Sequence, residues 1–494
     1  MGQRNPFSID ALRERVLRLD GAMGTQIQSF HLGEEDFRKG LPVAPSRDVC
    51  GDSECLNLSR PDVIRAIHQA YVDAGADILE TNSFGANALV QQDYGLAEVA
   101  PRMALEAARI ARAVADAAPR KVWVSGSLGP TSKSLTLVSD FLRPEWRPCS
   151  FDEMAAAYEA QVRALIEGGV DLIQIETCFD ALNAKAAIYA VERVQPGFPV
   201  IVSVSVSNAF GRTLTGQSLE AFCTTVQHAN LVAFGLNCSM GAEGLLPLIR
   251  DLAGWCPVPV ICYPNAGLPN AQGGYDETPE TMAGRMAGLD GLVNIAGGCC
   301  GTTPDHIRAL PALRPRPIPA HDPCLKVSGL EDWTVENPSD FAAPDLREFV
   351  AQGEYDEALM LASEPVAEGA PVLSICLDGI ADVPGEMEKI VRMTQGDPSV
   401  SSAALMIESA DWEALQQGLK NTQGKSIARG LSLKEGESAL LEKAAQIRRL
   451  GAAMVVSVDS EGEAEKALRL LSGAGIPLSD VILERDRRLL LPAI

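Results

Sequence analysis

Three cysteines sit where strand ends are expected: Cys238 in GLNCSMG, and the adjacent pair Cys299 and Cys300 in GGCCGTTPDHI. Three thiolates satisfy three of the four positions zinc prefers, and a vacant fourth position is the mark of a catalytic site. Side chains alternate across a strand, so two adjacent cysteines reach one ion only where the strand ends or bends. Gly297, Gly298 and Gly301 around the pair allow such a bend. The other reading of the pattern is three core cysteines or a vicinal disulfide. A thiol placed on such an ion loses its proton, because the metal is the largest local charge. One Zn²⁺ with three thiolates and a substrate sulfur carries a net charge of about −2, which leaves the bound sulfur nucleophilic. Attack of that sulfur on an activated methyl group is the reaction this chemistry favours.

The elements that must position these residues form a repeating series. From residue 16 to about 314, β-branched apolar runs alternate with helical stretches, the pattern of parallel βα units. The strand candidates are VLRLDGAM, DILETNSF, KVWVSGSL, DLIQIETC, PVIVSVSVS, LVAFGLNC, VPVICYPN and LVNIAGGCC. Eight units predict an α/β fold with a closed (β/α)8 TIM barrel, whose chemistry sits at the C-terminal ends of the strands. Cys238 then ends strand six and the Cys299–Cys300 pair ends strand eight, which we expect to be close neighbours. An open doubly wound sheet is the rival, but it more often carries a glycine-rich phosphate loop after its first strand, and none is found there. The proline-rich segment LRPRPIPAHDP, residues 313–323, reads as a semi-rigid linker. The expected organisation is a barrel over residues 1–315, a linker over 316–327, and a smaller α/β domain over 328–494. The last has only about five strand candidates, PVLSICLDG, AALMIES, SIARGLSL, AMVVSVDS and DVILER, too few to close a barrel.

Composition narrows the class. The formal net charge of −23 argues against nucleic-acid binding, which needs basic patches to displace phosphate counterions. No run approaches the ~20 apolar residues of a membrane helix. The N-terminus has no secretory-signal pattern, so a cytoplasmic protein is expected. The 12 cysteines are then reduced thiols, and none lies in a C-x-x-C pair.

The two cysteine motifs occur together with DGAMGTQIQ, ECLNLSRPDVI, AGADILETNSF, GSLGPT, LIQIETCFDALNAKAA, GRTLTGQ and PNAGLPN. In these motifs, over roughly residues 10–315, the chain resembles the homocysteine S-methyltransferase family, above all the homocysteine-binding barrel of its cobalamin-dependent methionine synthases. The resemblance implies that Cys238, Cys299 and Cys300 bind zinc at the catalytic centre, with the side-chain oxygen of Asn265 able to fill the fourth position. It implies homocysteine as substrate and methionine as product. Asp20 is expected to line the substrate pocket and Glu176 to receive the substrate's amino group, while Glu80, Asn82 and Thr177 shape the pocket.

Residues 328–494 resemble the start of the folate-binding barrel of those synthases, in SGLE, GLKNTQGKSIARGLSLKEG and RRLGAAMVVSV. Its ligand positions do not match. Ser374 and Cys376 stand where the family has aspartate and asparagine, Glu408 and Ser409 where it has an Asp-Ser pair, and Arg429 replaces an asparagine. A pterin edge left unpaired in a buried site costs ~1–3 kcal/mol per group. This domain is therefore expected not to bind folate and to serve in docking or homo-oligomerisation. None of His31, His68, His228, His306 and His321 lies in the D-x-H-x-x-G loop that the family uses for corrinoid. Methylcobalamin would have to come from a separate corrinoid protein, as in a split methionine synthase. The alternatives are an enzyme using betaine or S-methylmethionine, which the aromatic content supports only thinly because Tyr263 alone of the tyrosines lies in a rim motif, and a non-catalytic zinc scaffold.

Overall fold

The computed structural model describes residues 7–320 and 323–492; residues 1–6, His321 and Asp322 of the expected linker, and residues 493–494 lie outside the described residues. The eight expected strands form, as β1 Leu17–Arg18, β2 Ile78–Glu80, β3 Trp123–Leu128, β4 Leu172–Cys178, β5 Val200–Val204, β6 Leu231–Gly241, β7 Val260–Asn265 and β8 Ile295–Ala296. All pairings are parallel, in the order β1-β8-β7-β6-β5-β4-β3-β2. A single parallel bridge, Leu19 to Ile78, closes the ring. The expected (β/α)8 barrel is thus the fold.

Why these strands close is visible in their small and branched residues. Leu17, Leu19, Ile78, Leu172, Ile201, Ala233, Ile261 and Ile295 form one buried cluster, the packed interior of such a barrel. Phe7 and Leu12, just before β1, belong to the same cluster. At Gly235 a Cβ would fall 1.8 Å from the carbonyl oxygen of Ile261, so only glycine lets β6 and β7 approach. Helices such as Pro61–Ala74, Ala100–Ala117 and Phe151–Gly168 bury one apolar face each, and the last starts with a Ser150–Glu153 capping box.

β6 and β8 are close neighbours, as expected, with β7 running between them. This helps the site, since β7 ends in Asn265, between the strands that end in the cysteines.

Beyond the barrel, β9 Lys326–Ser328 and β10 Asp332–Thr334 make a small antiparallel hairpin. A six-stranded open sheet follows, β11 Val372–Cys376, β12 Ala404–Glu408, β13 Ile427–Ser432, β14 Ala453–Ser457, β15 Val481–Arg485 and β16 Arg488–Leu490. The first five are the expected strands. The hairpin and the antiparallel β16 were not expected, because three-residue strands carry too little periodicity to show in a sequence. Beside β11 runs one parallel bridge from Ala342 to Leu373, and β16 covers the edge of β15, so both edges are partly blunted. Across the ends of three of these strands, Arg429 bridges Glu408 at 2.8 Å and Glu484 at 2.5 Å.

The start of the linker is not free. The backbone N–H of Arg316 donates to Val293, and its guanidinium donates to the carbonyls of Ala253, Val258 and Cys256 at 2.8, 3.1 and 2.6 Å. These are carbonyls that the helix Ala242–Trp255 and the turn after it leave without helical partners. Arg316→Ala should therefore lower stability by about 2–4 kcal/mol, because charge-assisted bonds to several carbonyls go at once. Urea unfolding checks this; a loss below ~0.5 kcal/mol would mean that water satisfies the same carbonyls.

Candidate active site

The rim residues owe their positions to irregular strand ends. β4 slips register between Ile175 and Cys178, and Thr177 there has φ of 56°. β6 slips between Asn237 and Gly241, where Cys238 and Ser239 have φ of 55° and 57°. Left-handed backbone in such residues is uncommon and clusters at functional sites. Here the two bulges turn Glu176 and Cys238 toward one cavity. The two strands are tied together by Asn237, which accepts from the Thr177 N–H at 3.0 Å and donates to the Thr177 hydroxyl at 2.8 Å.

At β8 the strand stops at Ala296, so Cys299 and Cys300 lie in the turn beyond it. Thr302 closes that turn by donating its N–H and its hydroxyl to the Cys299 carbonyl, at 3.1 and 2.7 Å. A Cβ at Gly298 would lie 2.5 Å from the Thr302 hydroxyl, and one at Gly301 would lie 2.3 Å from the side chain of Tyr275. Gly301 also has φ of 81°. The flanking glycines are therefore required by close packing as well as by the bend.

The three sulfurs converge: their Sγ atoms all lie within 4.8 Å of one another, with Cys238 and Cys300 at 3.9 Å. This is the one cluster of metal-ligand type among the described residues. The sulfurs hydrogen-bond to one another: bonds from the Cys299 and Cys300 thiols pull the Cys238 thiol down, and the same bonds to Cys238 hold Cys299 and Cys300 above the ordinary range. The amide of Asn265 lies beside Cys238 as a further hydrogen-bond partner, yet the Oδ1 of Asn265, buried, has no partner among the described residues. Three soft sulfurs plus one unpartnered buried oxygen fit zinc in its usual four-coordinate form.

Above the sulfurs opens a cavity of about 460 Å³ lined by Glu80, Asn82, Glu176, Thr177 and the three cysteines, together with Glu54, Phe84, Tyr94 and Ser127. No lysine, arginine or histidine lines it among the described residues. Glu176 accepts from the hydroxyls of Ser127 and, at 3.4 Å, Tyr263. Burial pushes its carboxyl up to about 7 against those two bonds. Glu80, which accepts from the Gln174 amide, is raised by burial and then by Glu176 and Asp20. Asp20 lies just below, almost fully buried; it accepts from the Glu80 N–H at 3.1 Å through Oδ2, while its Oδ1 has no partner among the described residues. Burial raises it too.

Of the nine residues singled out in the sequence, seven line this cavity, Glu80, Asn82, Glu176, Thr177, Cys238, Cys299 and Cys300, while Asp20 and Asn265 are buried behind it, against Glu80 and Cys238. Asn82 lines the cavity, but its amide donates to Ser53 at 2.7 Å and Asn57 at 3.0 Å, so it also fastens the segment around Glu54. Tyr263 is corrected: it does not face the mouth, its hydroxyl being buried inside the barrel against Ser203, Gln174 and Glu176. The aromatic rings at the cavity are Phe84 and Tyr94 instead. Glu54, buried, accepting from Gly85 at 2.6 Å and pushed up to about 8 by burial and by Asp52, was missed. It lies in the quoted ECLNLSRPDVI motif, but only the fold shows that this segment reaches the cavity. Gln174 could have been found, since it shares a strand face with Glu176.

A family model described as homocysteine S-methyltransferase matches residues 17–313. Among solved structures the chain is similar to the homocysteine methyltransferase MmuM from Escherichia coli in its oxidized form, at 24% identity over 62% of this chain and 98% of that one, with a TM-score of 0.48. The metallated form of the same enzyme gives 24% identity over 62% and 99%, with a TM-score of 0.46. An N-acetylneuraminic acid synthetase from Leptospira borgpetersenii gives 11% over 62% and 84%, with a TM-score of 0.31.

The raised Glu176 carboxyl has a consequence for stability. Its ordinary value is about 4.3. The folded state binds this proton more tightly than the unfolded chain, so the contribution is full below about pH 4 and is lost as pH rises through about 7. Glu176→Gln should therefore flatten the fall in stability of the metal-free protein between about pH 4.5 and 7, and raise stability at pH 8 by about 1–3 kcal/mol. Urea unfolding across that range is the check. An unchanged slope would show that Glu176 ionises like an ordinary carboxylate.

Proposed function

The chain belongs to the homocysteine S-methyltransferase family, and from that premise we propose that it methylates the sulfur of homocysteine to give methionine, with zinc at the three cysteines and methylcobalamin on a separate corrinoid protein as donor. The observation that carries this reading is the convergence of three sulfurs within 4.8 Å on the floor of an acidic cavity at the barrel's C-terminal rim.

Cys238, Cys299, Cys300 and Asn265 would hold the zinc. When bound there, zinc with thiolate ligands lowers the pKa of a substrate thiol yet leaves its sulfur electron-rich. The chain's own residues supply the rest. Glu176 and Glu80 offer buried carboxylates to the substrate's ammonium, with Asp20 behind Glu80, a charge-assisted contact that keeps them ionised once it is made. Ser127, Gln174 and Tyr263 orient two of those carboxylates from below. Met23, Phe84 and Val90 supply apolar wall that excludes water from the reacting sulfur. In the transfer, the new sulfur–carbon bond forms as the methyl leaves its donor, and the thiol proton goes to solvent. The expected absence of folate binding is supported by the Arg429 ion pairs, which occupy the strand ends of the second sheet.

A second reading takes the methyl from a small onium donor such as betaine or S-methylmethionine. What favours it is the wall of Glu54, Phe84 and Tyr94 in a cavity without a basic side chain among the described residues, which suits a cation.

Supplying homocysteine with methylcobalamin, betaine or S-methylmethionine in separate assays decides between them. Methionine is expected with methylcobalamin; turnover with an onium donor and no corrinoid would overturn the leading reading. Cys299→Ala should leave the barrel folded by circular dichroism but hold less than about a tenth of an equivalent of zinc and lose methyl transfer. A full equivalent of zinc with normal activity in that variant would refute the ligand set.

A further inference from the structure

Cys238 and Ser239 are two consecutive non-glycine residues in left-handed backbone. Such a turn persists only where its surroundings over-determine it. Much of that determination comes from the Ser239 hydroxyl. It shares a hydrogen bond with the Ser205 hydroxyl at 2.8 Å, accepts the N–H of Val206 at 3.0 Å and donates to the carbonyl of Asn237 at 3.3 Å.

Ser205 and Val206 begin the loop after β5, residues 205–217, and that loop has little apolar packing at its tip: Phe210 is 90% exposed and Leu214 58%. Its far side is tied by polar bonds to the second domain. Arg212 pairs with Glu331 at 2.6 Å, the Gln423 amide donates to the Thr215 hydroxyl at 2.6 Å, and the Gln217 amide donates to the carbonyl of Gly329 at 2.9 Å. Next to the loop, the N–H of Ser218 donates to Leu330 at 3.0 Å. Thr215 passes the tie on by donating to the carbonyl of Phe179, just past β4 and its Glu176–Thr177 bulge. The same loop is therefore held at one end by the second domain and at the other end holds the turn that carries Cys238.

We propose that the second domain is a positioning element for the sulfur site: by clamping residues 205–217 it fixes the Ser239 hydroxyl, and with it the left-handed turn that presents the Cys238 sulfur to Cys299 and Cys300. The proposal rests on the reading of Cys238 as a metal ligand. It gives the degenerate domain a task that needs no ligand of its own. Without the clamp the turn relaxes toward ordinary backbone, and two cysteines remain in place where three are needed.

The test uses the full chain, with Co²⁺ as a spectroscopic probe and Zn²⁺ affinity measured by chelator competition. Gln423→Ala with Glu331→Ala cuts two ties without touching the cavity. This pair should weaken Zn²⁺ binding about 10–100-fold, the usual size of a lost outer-shell support, and lower the thiolate-to-cobalt charge-transfer absorption toward that of two thiolates. Ser239→Ala should do the same, and combining all three changes should add little, because they break one chain of contacts. Lys420→Ala, which cuts the Lys420–Asp152 ion pair between the same two domains away from the loop, should leave affinity and spectrum as in the wild type. If the double variant does not fold, Thr215→Val removes the Gln423 tie from the barrel side and should show the same spectral loss. Wild-type affinity and spectrum in a folded tie-cutting variant, or an equal loss in Lys420→Ala, would overturn the proposal. Absence of any thiolate charge transfer in the wild type would instead refute the ligand reading on which it rests.

Discussion

Anionic groups dominate the mouth of this barrel: three sulfurs and the carboxyls of Glu80, Glu176 and Glu54 line one cavity, with Asp20 just beneath and no basic side chain in the lining among the described residues. In a low-dielectric site such groups cannot all be charged at once. Burial raises the carboxyls of Asp20, Glu80, Glu176 and Glu54, so each holds its proton to a higher pH than an exposed carboxylate does. A lining of this kind, without a basic side chain among the described residues, is electrostatically suited to cations. The close-packed glycines, the Asn237 bridge and the Ser127, Gln174 and Tyr263 supports all hold like-charged groups where they would otherwise repel.

Much of this was legible in the residues. Eight β-branched runs separated by amphipathic stretches specify parallel βα units, and each became a barrel strand. Cys238, Cys299 and Cys300 stood out because each closes such a run, whereas Asn265 was marked only by the family resemblance. What could not be read was whatever depends on contacts between distant segments. That Glu54 faces the cavity follows from its bond to Gly85, and that Tyr263 turns inward follows from its partners Ser203, Gln174 and Glu176. The left-handed residues Thr177, Cys238 and Ser239 left no trace either, since no glycine marks them.

The second domain illustrates the same limit from the other side. Its altered positions, Ser374, Cys376, Glu408, Ser409 and Arg429, were the basis for expecting no pterin there, and in the structure Arg429 pairs with Glu408 and Glu484. One apolar cluster runs through both domains, and single polar contacts scattered along the chain add to it, among them the fully buried Lys185, whose ammonium donates to the carbonyls of Thr422 and Gly424 at 2.9 and 3.0 Å. Pairs of this kind have no periodicity and no motif. They nevertheless link the second domain to the barrel, at the helix Ala181–Val194 and at the loop after β5.

The central claim is that the three cysteines hold a zinc ion whose remaining position is offered to the substrate sulfur. X-ray absorption at the zinc edge of the loaded protein, with and without homocysteine, tests it most directly. The account predicts three sulfur neighbours and one oxygen or nitrogen in the free protein, becoming four sulfurs when homocysteine is added. Fewer than three sulfurs at the start, or a sulfur count that homocysteine leaves unchanged, would contradict it.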